Sequence, residues 1–531
     1  MRQQVQIALY ERHKALLAMT IPQAVEWAGS KWGDKLAFSF VDAPDTLTYA
    51  ELAESVARLR TGLTALGLRT GERVGIMIPN QVEFPLAWLA VIDAGAVAVP
   101  LNPKYTQREI EFVLADTGAT WLITTSELLA HHEAATFAPV PATNVIASGG
   151  TIPGGHSFGQ LLSTHAQPRQ HEADRLDLVG IQFTSGSTGL PKGCMLTHEY
   201  WLTMGAYGAA LFNDPQHFLA DHPFYYMQNQ AYFMHALAGG GQLHVTPGLS
   251  RSKFLSWLVD YDIDFAWIDE GMLDMPASDA DKRLKLRYAP VAAIPPQLHR
   301  PLEERFHLKA RDLYASTEVG GGVFAPWERD DLVGSGTMGL CFPNRETKVV
   351  DAKLGEVPPG EPGEMLIRGP AMMLGYWNRP DTNAELLLPG GWFRTGDIVR
   401  KDTDGLHYYI GRTRDIIRRS GENISAVEVE QQILTMPDVT EVAVVPVPDP
   451  ARDEEVKAII VLRRGSAATA QDIIDWARQR LAPFKVPRFI EFRARLPHTG
   501  SGKIAKSDLR SETPIHDKVY DRAGSPDASK R

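Results

Sequence analysis

The chain has 531 residues, too many for one ordinary hydrophobic core, so two or more domains are expected. A hydrophobic fraction of 44% beside 22% charged residues marks a globular protein, and a formal net charge of −10 argues against nonspecific binding to nucleic acid or to an anionic membrane. The two cysteines, Cys194 and Cys341, are too few for a disulfide framework or a cysteine-rich metal cluster and suit small core positions.

The N-terminus shows no signal-peptide apolar region, and the most apolar stretch, 84–100, is interrupted by Asp93, Gly95 and prolines. A cytoplasmic address and no integral membrane segment are expected. Thr48-x-x-Glu51 is a capping box ahead of Leu52, Val56, Leu59 and Leu63, which share one helical face, and Gly67 stands where that helix would stop. A strand over 74–78, a helix over 84–94, a strand over 97–99, a second capping box at Thr106-x-x-Glu109 and a strand near 121–123 follow. Strands alternating with helices imply a largely parallel sheet. Residues 126–175 carry weaker signals, and the Pro and Gly clusters over 139–155 read as loop.

An apolar run over 178–183 reads as a strand, and the stretch from Thr184 to Gly193 leaves its end. This loop suits phosphate: the hydroxyls of Thr184, Ser185, Ser187 and Thr188, the glycines 186, 189 and 193, and Lys192 offer many donors and no competing acid. Pro191 and Gly193 break the Walker spacing, so a plain P-loop NTPase is not implied. The bland alternative is a flexible Ser/Gly surface loop, against which stands a rigid proline beside a single cation.

Thr197 can cap a helix running towards Phe212. The aromatic-rich 221–230 stretch reads by itself as core, and the acids Asp269 and Glu270 beside Trp267 as a solvated loop end. Gly320-Gly321-Gly322 should let another backbone approach closely. Beyond Gly411, the charged run Arg412-Thr413-Arg414-Asp415 marks a boundary. A third capping box, Ser425-x-x-Glu428, opens a helix ending before Pro437; strands over 442–447, 458–462 and 489–492 and a helix over 472–481 make a small α+β unit. The polar segment 512–531 reads as disordered. The expected domains are therefore 1–411, 412–511 and a tail, 512–531.

The phosphate loop, Tyr314-Ala315-Ser316-Thr317-Glu318, Gly391-Trp392-Phe393-Arg394-Thr395-Gly396-Asp397, Gly411-Arg412-Thr413-Arg414-Asp415 and Gly500-Ser501-Gly502-Lys503 occur in one order across most of the chain. Together they resemble the motifs of the adenylate-forming superfamily: acyl-CoA synthetases, peptide-synthetase adenylation domains and luciferases. The local pattern Ser420-Gly421-Glu422-Asn423-Ile424 is most similar to the carnitine and crotonobetaine group of acyl-CoA ligases. The resemblance implies an α/β fold, with a large N-terminal domain of parallel-rich sheets and flanking helices and a small mobile α+β C-terminal domain. It also implies an AMP-forming carboxylic acid–CoA ligase that uses ATP, Mg2+ and coenzyme A, passing through an acyl-adenylate.

By this resemblance Thr184, Ser185, Gly186, Ser187, Thr188, Gly189 and Lys192 hold pyrophosphate. Thr317 contacts the α-phosphate and Glu318 holds Mg2+. Tyr314 stacks on adenine, with Ala315 and Ser316 beside it, and Asp397 and Arg412 bind the ribose. Lys503 bridges substrate carboxylate and α-phosphate; from local sequence alone it is an ordinary surface lysine. Gly421 lines the pantetheine channel, and Arg414 occupies a hinge position where relatives usually carry Asp or Lys. Tyr226, Gln230, Trp267, Asp269, Glu270 and Gly321 fall on the acyl pocket. Tyr226 stands where relatives commonly have histidine, and Val291-Ala292-Ala293 replaces a Gly-Ala-Pro or Gly-Ala-Ser pattern beside adenine. The acids beside Trp267 raise the hypothesis of a cationic, betaine-type substrate held by carboxylate and aromatic face. Loading of a carrier protein and a catalytically inactive nucleotide-binding protein are the alternatives to CoA ligation. The oligomeric state, a homodimer included, stays open.

Overall fold

The computed structural model describes residues 11–131, 137–150, 152–184, 191–292, 294–419, 422–499, 503–512, 515 and 519–522. The chain forms two compact units: one comprises Met1–Thr184, Pro191–Glu346 and Ile367–Phe393, and the other takes in Thr347–Leu366 and Arg394–Arg531. Among the described residues no helix is long and apolar enough to cross a membrane.

The first unit holds a seven-stranded sheet in the order His156–Ser157, Val145–Ser148, Trp121–Thr125, Arg73–Met77, Val97–Pro100, Leu178–Thr184 and Lys192–Thr197. Every pairing but the last is parallel. Local signals account for its helices. Glu51 N–H donates to Thr48 Oγ1 at 3.1 Å while the Glu51 carboxylate accepts from Thr48 N–H at 2.8 Å, opening helix Tyr49–Ala65 with Leu52, Val56, Leu59 and Leu63 buried. The box at Thr106 closes in the same way and starts Gln107–Thr117. Strand Val145–Ser148 lies inside the stretch expected to be loop. Its four residues are all buried, so it shows no apolar–polar alternation and is too short to register as a periodic signal.

A second sheet runs His217–Ala220, Gln242–Val245, Leu36–Phe40 and Thr46–Thr48, parallel except at its last pair. Strand Tyr288–Val291 lies parallel to Lys309–Ser316, which turns back antiparallel into Gly320–Phe324 and then Thr337–Cys341. Cys194 and Cys341 are both buried, as expected of small core residues.

In the second unit Val439–Asp449 pairs along its length with Asp453–Leu462, which also runs parallel to Phe489–Phe492. Helices Ala426–Leu434 and Ala470–Arg478 add Val429, Ile433, Ile473 and Ile474 to a core shared with Val444, Ala458 and Ile460. Two expectations are corrected here. Ser425 accepts from Glu428 N–H at 3.1 Å, but the Glu428 carboxylate takes the Lys485 ammonium at 2.6 and 2.7 Å, so the capping box is not reciprocal. Within the supposed tail, Val519–Asp521 is a strand paired with Phe489–Phe492, and Arg488 reaches Asp521 at 3.0 Å; both partners are remote in sequence and leave no local signal.

Candidate active site

Strand Leu178–Thr184 delivers the phosphate loop and Lys192–Thr197 carries the chain back antiparallel, with Thr184 paired to Lys192 in register. The two residues that bound the loop thus lie side by side at the strand ends. Thr184 Oγ1 donates to the Lys192 carbonyl at 3.4 Å. Ser185, Gly186, Ser187, Thr188 and Gly189 lie outside the described residues, as does Ala293. The Lys192 ammonium stands 5.4 Å over the ring of Tyr376, and the Tyr376 hydroxyl donates to Glu318 Oε1 at 2.7 Å. One end of the phosphate loop and the expected metal carboxylate thus meet at one tyrosine.

The Thr317–Val319 backbone is held from several sides. Tyr200 O–H donates to the Thr317 carbonyl at 3.0 Å, Met373 N–H to the Glu318 carbonyl at 3.0 Å, and Arg345 Nη2 to the Val319 carbonyl at 2.7 Å. Thr317 Oγ1 lies 3.3 Å from the sulfur of Met227. Tyr314, Ala315 and Ser316 end the strand leading into this turn. The glycines that follow admit side chains, which corrects the expectation of a close backbone: a Cβ on Gly321 would sit 2.8 Å from the ring of Phe342, and one on Gly322 2.9 Å from the ring of Tyr314.

Tyr226 is half-buried at the start of helix Met227–Gly239, with its ring 4.6 Å from that of Tyr225. The loop before it is pinned: Phe224 N–H donates to Asn80 Oδ1 at 2.9 Å, and Gln182 and Gln230 donate to the Tyr225 and Phe224 carbonyls. Gln230, expected on the acyl pocket, has no accessible surface and braces this wall through its bond to the Phe224 carbonyl. Trp267 is half-buried nearby in sequence to the two acids. Asp269 accepts from Gly271 N–H at 2.8 Å as the cap of the short helix Glu270–Asp274. The Arg251 guanidinium approaches this turn, and desolvation, with the Asp269 charge behind it, raises the Glu270 pKa while Arg251 lowers it. Asp269 spends one acceptor position on this turn, and the Arg251 guanidinium stands beside Gly271, so the acidic pair is part of a local charged cluster.

In the second unit Asp397 and Arg412 are cross-strand partners on the hairpin formed by Trp392–Lys401 and His407–Arg412. Arg412 Nε lies 2.9 Å from Asp397 Oδ1, and Asp397 is 1% exposed. Lys503 joins them from far along the chain. Part of its surface stays accessible, yet desolvation by the surrounding protein and then the Arg412 cation lower its pKa, with Asp397 opposing. Its turn closes through Thr499 N–H to the Lys503 carbonyl at 2.7 Å and a His498–Ile504 bridge. Arg414 sits in the single turn Thr413–Asp415, and Gly421 lies outside the described residues.

No group of three His, Cys, Asp or Glu able to cage a metal occurs among the described residues. A lone carboxylate such as Glu318 fits Mg2+ all the same, because that ion keeps waters and substrate phosphates as most of its ligands. The model of the AMP-binding enzyme family matches residues 25–377, and that of the AMP-binding enzyme C-terminal domain matches 428–503. The chain belongs to the AMP-binding enzyme family.

This AMP-binding enzyme is 34% identical over 474 residues to a feruloyl-CoA synthase of Amycolatopsis sp, covering 87% of this chain and 93% of the relative. It is 28% identical over 506 residues to a crotonobetaine/carnitine–CoA ligase of Salmonella paratyphi A, covering 90% and 96%. Among solved structures, an anthranilate CoA ligase in complex with anthranoyl-AMP is similar with a TM-score of 0.83 and 25% identity, over 93% of this chain and 97% of that one. The α/β class expected from the motifs is the class observed, and the enzyme is an acid–thiol ligase of the adenylate-forming kind, a class served by ATP, Mg2+ and coenzyme A. Sequence reasoning missed Tyr376, Tyr200 and Arg345. They fall in segments with no nucleotide motif, and only their contacts with the Thr317–Val319 turn single them out.

Proposed function

We propose that this enzyme activates a carboxylic acid with ATP to an acyl-adenylate, releasing pyrophosphate, and then passes the acyl group to the thiol of coenzyme A, releasing AMP. The observation that carries the reading furthest is the convergence of Asp397, Arg412 and Lys503, three residues from separate motifs, on one charged cluster. Carboxylate and triphosphate are both anions, so the rate depends on positioning and charge neutralisation. The Lys503 ammonium bridges the attacking carboxylate and the α-phosphate. Lys192 and the loop hydroxyls draw off the charge of departing pyrophosphate. The Asp397 carboxylate accepts from the ribose diol with Arg412 beside it, and Thr317 orients the α-phosphate. Mg2+, when bound, neutralises the phosphates, and Glu318 is the carboxylate that would hold it.

Rotation of the C-terminal segment about Arg412–Asp415, with Arg414 as the hinge, would exchange Lys503 for the loop around Gly421 between the two half-reactions. The aromatic character of Tyr225, Tyr226 and Trp267, together with the relative named for feruloyl, favours aromatic acids as the first class to test. A screen of aromatic, short, long-chain and betaine-type acids, reading AMP release with and without CoA, tests the proposal. CoA-dependent AMP release supports it. Pyrophosphate release indifferent to CoA would turn the reading to a carrier-protein acceptor, and no pyrophosphate with any acid would turn it to a nucleotide-binding protein without catalysis.

A further inference from the structure

The hydroxyl of Tyr376 is out of place as packing. The residue is 6% exposed and sits in the core, where phenylalanine would fill the same space, yet its O–H is spent on the Glu318 carboxylate at 2.7 Å. A carboxylate has about four acceptor positions, so this bond orients the group and leaves the remaining lone pairs for another ligand. The same ring lies under the Lys192 ammonium, whose distance to the centroid, 5.4 Å, is within the range of a cation–π contact.

The chain around Tyr376 is built to hold it still. Leu374 N–H donates to the Met195 carbonyl and Met195 N–H to the Gly375 carbonyl, each at 2.9 Å, and Trp377 N–H donates to the Gly193 carbonyl at 2.8 Å. The segment therefore runs as a short extra strand on Lys192–Thr197, with Tyr376 bridged to Cys194. Asn383 closes the other side: its Oδ1 accepts from Tyr376 N–H at 2.7 Å and its Nδ2 donates to the Tyr376 carbonyl at 2.8 Å. Gly375 makes room for that amide, since at φ +140° a Cβ there would lie 3.1 Å from Asn383 Oδ1. With Thr317 and Val319 already fixed by Tyr200 and Arg345, the side-chain angle of Glu318 is the freedom left to set.

We propose that Tyr376 is a positioning residue that holds the Glu318 carboxylate ready for the metal ion of a divalent cation–ATP complex and ties that carboxylate to Lys192 of the phosphate loop. The inference rests on the roles proposed above for Glu318 and Lys192. Its consequence is specific. Loss of the hydroxyl weakens metal-dependent nucleotide binding, and loss of the ring also weakens retention of the phosphates by Lys192.

The test uses the full chain as wild type, Tyr376→Phe, Tyr376→Leu, Glu318→Gln and the Tyr376→Phe/Glu318→Gln double variant. Binding of Mn2+ in the presence of α,β-methylene-ATP is measured by electron paramagnetic resonance, and the Mg2+ dependence of pyrophosphate exchange is measured beside it. The expected result for Tyr376→Phe is Mn2+ binding about tenfold weaker, which is the factor that roughly 1.4 kcal/mol produces. The Mg2+ half-saturation should rise by a similar factor, the turnover at saturating Mg2+ should change less than about threefold, and adding Tyr376→Phe to Glu318→Gln should cost little more. Tyr376→Leu should in addition raise the KM for ATP. Wild-type Mn2+ affinity and Mg2+ half-saturation in Tyr376→Phe, whatever its turnover, overturn the inference. If Tyr376→Phe does not fold, the Lys192 arm is read at saturating Mg2+, where the hydroxyl's contribution through Glu318 is removed: adding Tyr376→Leu to Lys192→Gln should leave the KM for ATP unchanged, and an increase as large as Tyr376→Leu causes by itself overturns the tie to Lys192. A wild-type enzyme that neither binds Mn2+ with the analogue nor exchanges pyrophosphate overturns the proposed function instead.

Discussion

Lys503 gains its interest from its neighbours. An ammonium that is partly desolvated, repelled by the Arg412 charge and only partly compensated by Asp397 is easier to deprotonate than a free lysine, and bridging two anions requires it charged. Pyrophosphate exchange should therefore fall on the alkaline side, with a midpoint below the ordinary lysine value of about 10.4. In Lys503→Arg that limb should move upward out of range, because arginine stays protonated. An unchanged midpoint in the arginine variant would assign the limb to another group. Lys503→Gln should lose adenylation by about two orders of magnitude or more while forming thioester from supplied acyl-adenylate at close to the wild-type rate. Equal loss of both half-reactions would refute the role.

At the scale of elements, short-range chemistry accounts for much of what was legible. The capping boxes at Thr48 and Thr106 announce their helices because donor and acceptor lie three residues apart. Thr106→Ala should cost about 1 kcal/mol in urea unfolding, with little change in slope. The strand Val519–Asp521 was not legible because its partner, Phe489–Phe492, and its ion pair, Arg488–Asp521, are distant in sequence. Truncation after Ser511 should lower the melting temperature of the second unit and speed proteolysis near 489–492, while leaving the first unit's transition in place. Coincident loss of both transitions would contradict that local role. Helix Ile21–Trp32 depends on a contact of the same long-range kind: its first N–H, Ile21, donates to His198 Nδ1 at 3.1 Å.

That bond requires a neutral imidazole, and at the scale of the whole molecule His198, His235 and His244 act alike among the described residues. Burial depresses His198 and His244 to about 4 and His235 to about 3. The unfolded chain, with histidine near 6.5, binds more protons than the folded chain below that pH. Their contribution to stability is thus full above about 6.5 and is lost as the pH falls towards 4. Denaturant midpoints should drop between pH 7 and pH 5, and His235→Leu should reduce that slope by about 1.4 kcal/mol per pH unit. A slope unchanged by this substitution would locate the acid sensitivity elsewhere.

The alternating architecture was determined by the sequence itself, because capping and periodicity depend on neighbours a few residues apart, and the enzyme class was legible through motifs that resemble those of a known family. Which groups meet was decided only by the tertiary structure. The Tyr376–Glu318 bond, the Asp397–Arg412 register and the capping duty of Asp269 beside Arg251 follow from strand pairing and packing between distant segments, and no local pattern encodes a partner that lies elsewhere in the chain.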